Sequence, residues 1–265
     1  MKSPIAYFGG KSYMTDIITS KFPKHYNRYV EGFGGGASVL LSLPHTCMEV
    51  YNDLGQNVYS LFKCLSDKDL FEEFCRMASV SPYSRELNAE YRQDLKRDDL
   101  SILERGYKFF YVNNTSFNGV GGFSTGIQDR MSVSKFLSRY LTKIDTLPQF
   151  YGRLMSVIIE NKDIMDLFDI YDAEDTFWYL DPPYVLDTRV ATDMYEHEMS
   201  NEQHIKFLEK VMTLKGMVLI SGYNHPIYDV LIENGWHRYD FNAVHDERHI
   251  ESLWYNYSIK DNTLF

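Results

Sequence analysis

Thr176-Phe177-Trp178-Tyr179-Leu180-Asp181-Pro182-Pro183-Tyr184 is the stretch on which the reading of the fold turns. Its first five residues are β-branched, aromatic or leucine, a composition that predicts a buried strand. Two consecutive prolines then forbid both helix and further ladder pairing, so the strand stops at the Asp181 carboxylate. In an open α/β sheet, ligands bind in the crevice beyond the carboxyl ends of the strands. A carboxylate, a proline-stiffened carbonyl at Pro182 and the aromatic face of Tyr184 are therefore expected there together.

Outward from this strand the pattern alternates. Val157-Ile158-Ile159 reads as a strand and Asp163 to Ile170 as a short helix leading into it. Residues 185 to 199 are a long polar connection and a candidate lid. Ser200 caps a helix through Leu214, Met217 to Ser221 is a strand, Pro226 to Asn234 a helix, and Trp236 to Val244 and Ser252 to Ile259 are two closing strands. Towards the N-terminus, Tyr29-Val30 runs into the glycine turn Glu31-Gly32-Phe33-Gly34-Gly35-Gly36-Ala37-Ser38, after which a helix is expected to start. The next strand, Met48 to Tyr51, ends in Asn52-Asp53. Between the two alternating segments lies a helical stretch from Gln56 to about Lys108, broken at Pro82 and capped by Asp98-Asp99. A helix from Ile102 to Val112 follows, then a flexible loop, Asn113 to Gly126. The expected architecture is α/β, a doubly wound sheet formed by residues 1–53 and 154–265, interrupted by a helical insert over 54–153.

With 265 residues, 44% of them hydrophobic, the chain can bury a full α/β core. Three cysteines without C-x-x-C spacing fit reduced thiols, and no run approaches 18 apolar residues, so no membrane is expected and a cytoplasmic setting is. The formal net charge of −10 argues against a nucleic-acid partner when read globally. Its distribution argues the other way: residues 105 to 159 hold seven basic and two acidic groups, a net +5 on a body of −15.

The chemistry these residues suit is transfer to an exocyclic base amine. The lone pair of such an amine is delocalised into the ring, and acceptors placed on its two N–H groups return density to the nitrogen. Asp181 and the Pro182 carbonyl are such acceptors, and Tyr184 offers a stacking face. The glycine turn lets a cofactor approach the strand end, and Asp53, 18 residues beyond Gly35, stands where an acidic residue bonds ribose hydroxyls. Lys11, after Gly9-Gly10, is placed to meet a carboxylate. The loop residues Asn114, Phe117 and Asn118, bracketed by Arg130, Lys135 and Arg139, suit base-edge contacts and insertion into a stack. A plain surface loop is the alternative. His245 and His249 have zinc-like spacing but no evident third ligand, so no metal is expected.

Four of these stretches together resemble the Dam-like, alpha-group family of adenine-N6 DNA methyltransferases, including its phage-borne members. Tyr7 to Lys11 is similar to the family's N-terminal cofactor motif, Glu31 to Val39 to its methionine-binding motif, Asn52-Asp53 to its ribose motif and Asp181 to Tyr184 to its catalytic motif. The resemblance spans essentially the whole chain. It implies a Rossmann-like S-adenosylmethionine-dependent methyltransferase sheet with a target-recognition insert. It further implies catalysis by Asp181, Pro182 and Tyr184, and cofactor binding by Tyr7, Lys11, Phe33, Gly35, Gly36, Ser38, Asp53, Asp163 and Asp181. The partner it implies is duplex DNA, bound by a monomer in a bacterial or phage-infected cytoplasm, with the adenine flipped out of the helix. Phe117-Asn118-Gly119 matches the family's recognition loop. Asn114 and Gly122, however, stand where members specific for GATC carry arginines, so GATC is not expected. Cytosine-N4 transfer, and a catalytically silent DNA-binding protein on the same scaffold, remain the competing readings.

Overall fold

The structure is a computed structural model that describes residues 1–7, 9–126, 133–185, 197–242 and 250–259, with the backbone alone at 129–130. Most of the candidate lid at 185–199 and the pair His245 and His249 lie outside the described residues. In chain order the elements are α1 (Thr15–Ser20), β1 (Arg28–Glu31), β2 (Met48–Asn52), α2 (Gln56–Ser66), α3 (Lys68–Val80), α4 (Arg85–Asp94) and α5 (Ile102–Thr115). They continue with β3 (Asp129–Arg130), β4 (Val133–Ser134), α6 (Lys135–Asp145), α7 (Leu147–Leu154), β5 (Val157–Glu160), α8 (Ile164–Tyr171) and β6 (Thr176–Leu180). The last are α9 (Asn201–Val211), β7 (Met217–Tyr223), α10 (Asp229–Glu233), β8 (His237–Asn242) and β9 (Ile250–Tyr255).

Two compact units result. One holds Lys11–Gly34, Leu43–Leu54 and Lys162–Phe265, the other Met1–Gly10, Gly35–Ser42 and Gly55–Asn161. In the first, the strand order is β2-β1-β6-β7-β9-β8, parallel from β2 to β7 and antiparallel beyond. Strand β6 is central, and all five of its residues are buried. Because side chains alternate across a strand, Trp178 and Leu180 join a core with Phe168 of α8, Phe207 and Leu208 of α9, and Leu231 of α10. Phe177 faces the other way, into an aromatic layer with Phe22, Tyr26 and Tyr29.

The second unit is mainly helical, with an aromatic core that includes Phe74, Tyr107, Phe110, Tyr111 and Tyr140. Three of its helices begin at side-chain caps: Asp67 for α3, Ser84 for α4, and Ser101 for α5, where Glu104 completes a capping box. Ser101 thus takes the capping place expected of Asp98-Asp99, and Asp99 pairs with Arg97 instead. At the two ends of the helical segment, Gln56 donates to Asn161 at 2.6 Å.

The structure corrects two local expectations. The helix expected after the glycine turn is only a 3-10 turn, Leu40–Ser42, because Gly35 and Ala37 both have left-handed backbone, with φ of 47° and 53°, which no right-handed helix accommodates. The loop expected from Asn113 begins three residues later. Asn114, Thr115 and Ser116 each donate to the carbonyl four residues back and carry α5 on to Thr115.

Candidate active site

The parallel part of the sheet ends at one edge, and the prolines after Leu180 leave Asp181 there. Leu180 pairs with Ile220, so the next residue of β7, Ser221, is the cross-strand neighbour of Asp181. Its hydroxyl donates to Asp181 Oδ1 at 2.8 Å. Lys11 Nζ donates to the other oxygen, Oδ2, at 2.6 Å, and the two side chains are only 5% and 17% exposed. Burial pushes the Asp181 carboxyl above its ordinary range, while the Lys11 ammonium and the bonds from Lys11 and Ser221 pull it back down. The lysine therefore opposes the penalty that burial places on the ionised carboxylate.

The same ammonium lies 4.9 Å from the centroid of the Tyr184 ring. That ring is fixed on two further sides. Tyr223 meets it edge-on at 4.5 Å, and the Tyr184 hydroxyl donates at 2.9 Å to Glu251 of β9, the residue paired with Tyr223 across the ladder. Tyr13 also hydrogen-bonds to Glu251. Burial raises the Glu251 carboxyl, opposed by Lys11 and by the Tyr184 hydroxyl. One ammonium thus serves two buried carboxylates.

A second set of residues gathers at the ends of β1 and β2. The Asn52 amide donates to the carbonyls of Gly32 and Lys162 and its oxygen accepts from the Lys162 amide, while Gly34 N–H donates to the Asn52 carbonyl. This tie brings Phe33, Asp53 and Asp163 to one corner. Asp163 caps α8 by accepting from Met165 N–H, and Phe33 packs edge-on against Phe207. Gly34 is required here by space, since a Cβ would lie 2.1 Å from the Tyr51 ring.

In the other unit Tyr7 lies beside the glycine turn. A Cβ on Gly35 would stand 2.6 Å from the Tyr7 ring, and one on Gly36 2.9 Å from Ser3 Oγ. Gly10 N–H donates to the Tyr7 carbonyl, and the Cβ position of Gly10 is 3.7 Å from Ser38 Oγ. Tyr7, Gly35, Gly36 and Ser38 are therefore neighbours.

The residues expected to meet DNA divide. Phe117 is 58% exposed, and Asn118, with φ of 50°, is exposed beside it. Lys135 and Arg139 are exposed one turn apart on α6, and the Arg130 side chain lies outside the described residues. The Asn114 amide donates to the carbonyls of Pro4 and Phe110, which leaves its side-chain oxygen as the group that could meet a base. The basic excess over 105–159 is also weaker than its count. Arg105 is buried against the Asn57 side chain and the Leu95 and Arg97 carbonyls, and Lys108 pairs with Asp94. Lys143 donates to Ser3 and Arg153 to Leu40.

Two groups at the site were not foreseen from sequence: Ser221 and Tyr13. The available signal for Ser221 was a polar residue ending an apolar strand.

A family model described as D12 class N6 adenine-specific DNA methyltransferase matches residues 7–259. The modification methylase StsI of Streptococcus sanguinis is 25% identical over 212 residues, 73% of this chain and 30% of that protein. The type II methyltransferase M.CviBI of Paramecium bursaria Chlorella virus NC1A is 21% identical over 242 residues, 86% of this chain and 90% of that protein. A DNA adenine methylase of Haemophilus influenzae is 24% identical over 185 residues, 68% and 63% of the two chains.

Proposed function

The chain belongs to the D12 class N6 adenine-specific DNA methyltransferases, and from that premise we propose that it methylates N6 of an adenine flipped out of duplex DNA, with S-adenosylmethionine as donor. The bound donor supplies an electrophilic methyl group on a sulfonium, which leaves as a thioether. Asp181 and the Pro182 carbonyl accept the two N6–H groups and restore the nitrogen lone pair, and Tyr184 stacks on the base. Lys11 and Ser221 fix the carboxylate, and Lys11 favours its ionised form, which can accept. Glu251, Tyr223 and Lys11 fix the tyrosine ring.

The residues present fit the donor. The Lys11 ammonium faces two carboxyl groups, Asp181 and Glu251, an excess of acidic groups that suits a sulfonium, and Phe33 offers an aromatic face. We assign Asp53 to the ribose hydroxyls and Asp163 to the adenosyl base. Tyr7, Gly35, Gly36 and Ser38 form a turn without side-chain bulk at which the methionine portion can lie against backbone. We assign target recognition to the insert over 54–153, with Phe117 as the wedge, Asn118 as the base-edge contact, and Arg130, Lys135 and Arg139 as phosphate contacts. We place the enzyme in the cytoplasm, acting as a monomer; no helix among the described residues is long and apolar enough to cross a membrane.

The observation that carries this reading is Asp181 at the sheet edge with one oxygen on Lys11 and the other on Ser221. Long-read sequencing of DNA from a methylation-free host expressing the chain, with nucleoside analysis, should reveal N6-methyladenine in one sequence context. N4-methylcytosine would overturn the choice of base, and an unmodified genome together with absent donor binding would leave only a silent scaffold.

A further inference from the structure

Helix α4 contributes none of the residues assigned so far, yet one of its side chains engages the loop that carries Phe117. Arg92 Nη1 donates to the Val120 carbonyl at 3.3 Å, and Nη2 donates to Ser116 Oγ and to the Gly121 carbonyl. Its Nε donates at 3.0 Å to Asn88 Oδ1, and the Asn88 amide in turn donates to Thr115 Oγ1 and Ser116 Oγ. The loop is short and closed on itself: Ser116 bridges Phe123, Phe117 N–H donates to Gly122, and Gly121 N–H donates to Phe117. Its tip holds two left-handed residues, Asn118 and Gly119, and presents two large apolar side chains, Phe117 at 58% and Val120 at 54% exposure.

These backbone bonds close the loop but give no reason for two large apolar side chains to stand in water. Apolar side chains in water gain by folding back onto the surface, and glycines at 119, 121 and 122 give the backbone freedom to do so. The planar guanidinium opposes this by engaging several acceptors at fixed angles, which a lysine cannot reproduce. Holding an insertion element in its working shape before contact removes an ordering cost from binding.

We propose that Arg92 is a positioning residue for base flipping: its guanidinium clamps the loop 116–121 so that Phe117 and Val120 stand out as a preformed wedge for the DNA stack. This rests on the reading of Phe117 as the wedge. A clamp acts only through the wedge, so its loss should matter where a base must be prised out and not where the adenine is already loose.

The test uses the full chain and two duplexes carrying the recognised site, one fully paired and one with the target adenine opposite an abasic position. Phe117→Ala should lower kcat/KM on the paired duplex by roughly 10- to 100-fold and leave the abasic-opposed duplex within about threefold. Arg92→Ala and Arg92→Lys should show the same split, and the double variant Phe117→Ala/Arg92→Ala should be no worse than Phe117→Ala alone. Cofactor affinity measured by calorimetry reports whether each variant is folded. An Arg92→Ala loss equal on both duplexes, or additive with Phe117→Ala, would overturn the clamp; an equal loss with a salt slope reduced by about one would mark a phosphate contact instead. Indifference of Phe117→Ala to the duplex sinks the wedge itself, whereas the split in Phe117→Ala without one in Arg92→Ala sinks only the clamp.

Discussion

The corner at Asp181 and the loop tip at Phe117 break the ordinary rule of burial in opposite directions. At the corner, an ammonium and two carboxylates lie buried among aromatic rings, each engaged by named partners. At the tip, two large apolar side chains stand in water on a backbone that polar groups hold open. Removing charge from water makes each contact stronger and each missing partner costly, which suits chemistry on one fixed atom. Exposed apolar surface does the converse, since it gains only when a partner covers it. Buried charge and exposed apolar side chains thus point to two different tasks, and the two regions should respond differently to substitution.

The largest effect is expected at the corner. Asp181→Ala should lower turnover by roughly 10³- to 10⁴-fold while donor affinity changes by less than about tenfold, measured by single-turnover kinetics and calorimetry. Full activity in that variant would remove the corner's assigned task. Lys11→Met should lower turnover at neutral pH by about 10²-fold and shift its pH dependence. Burial raises the Asp181 carboxyl and Lys11 lowers it, so without the lysine the carboxyl rises further. Transfer needs the ionised form. Activity should therefore be lost at a higher pH than in the parent as pH falls, and an unmoved acid limb would separate Lys11 from Asp181. The same sign applies to stability: a carboxyl raised on folding disfavours the folded state as pH climbs from its unfolded to its folded value, so Lys11→Met should lose least in acid.

At the loop tip, Phe117→Ala should leave the melting midpoint within about 2 °C of the parent, because the side chain is largely exposed, while kcat/KM on paired DNA falls. A large drop in melting temperature would make the tip part of the core and erase the contrast. The smallest effect is expected for Glu251→Gln, which keeps an acceptor for the Tyr184 hydroxyl and should lose only about 3- to 10-fold in turnover. Glu251→Leu, with no acceptor, should lose more, and equal losses in the two variants would show that the hydrogen bond to Tyr184 is unimportant.

The sequence showed the chain-local parts of both regions, the strand end at Asp181 and the loop with Phe117, but not the distant residues that hold them. The strand from Thr176, the prolines that end it, the glycine turn and Asn52-Asp53 are each set by residues adjacent in the chain. Local rules therefore reach them. Ser221 and Glu251 come to the site through strand register, 40 and 70 residues from Asp181, and Arg92 reaches its loop 24 residues away at Ser116. No periodicity encodes such distances. The basic stretch misled for a related reason: a count of charges cannot distinguish Lys135, which faces solvent, from Arg105, whose guanidinium holds the Leu95 and Arg97 carbonyls. The glycine turn misled differently, because Ala37 adopts a left-handed backbone that its composition does not announce.

The hydrogen bond between Gln56 and Asn161 means that more than a hundred residues leave and rejoin the chain at one place. A segment tethered in that way behaves as a cassette. Its length can vary without stretching the strands on either side, because its ends stay together, provided that its contacts with residues 1–10 and 35–42 of the same unit are kept. On the proposal that this segment carries target recognition, a chimaera that keeps residues 1–54 and 162–265 and takes a foreign cassette should methylate at the sequence of the protein that supplied the cassette.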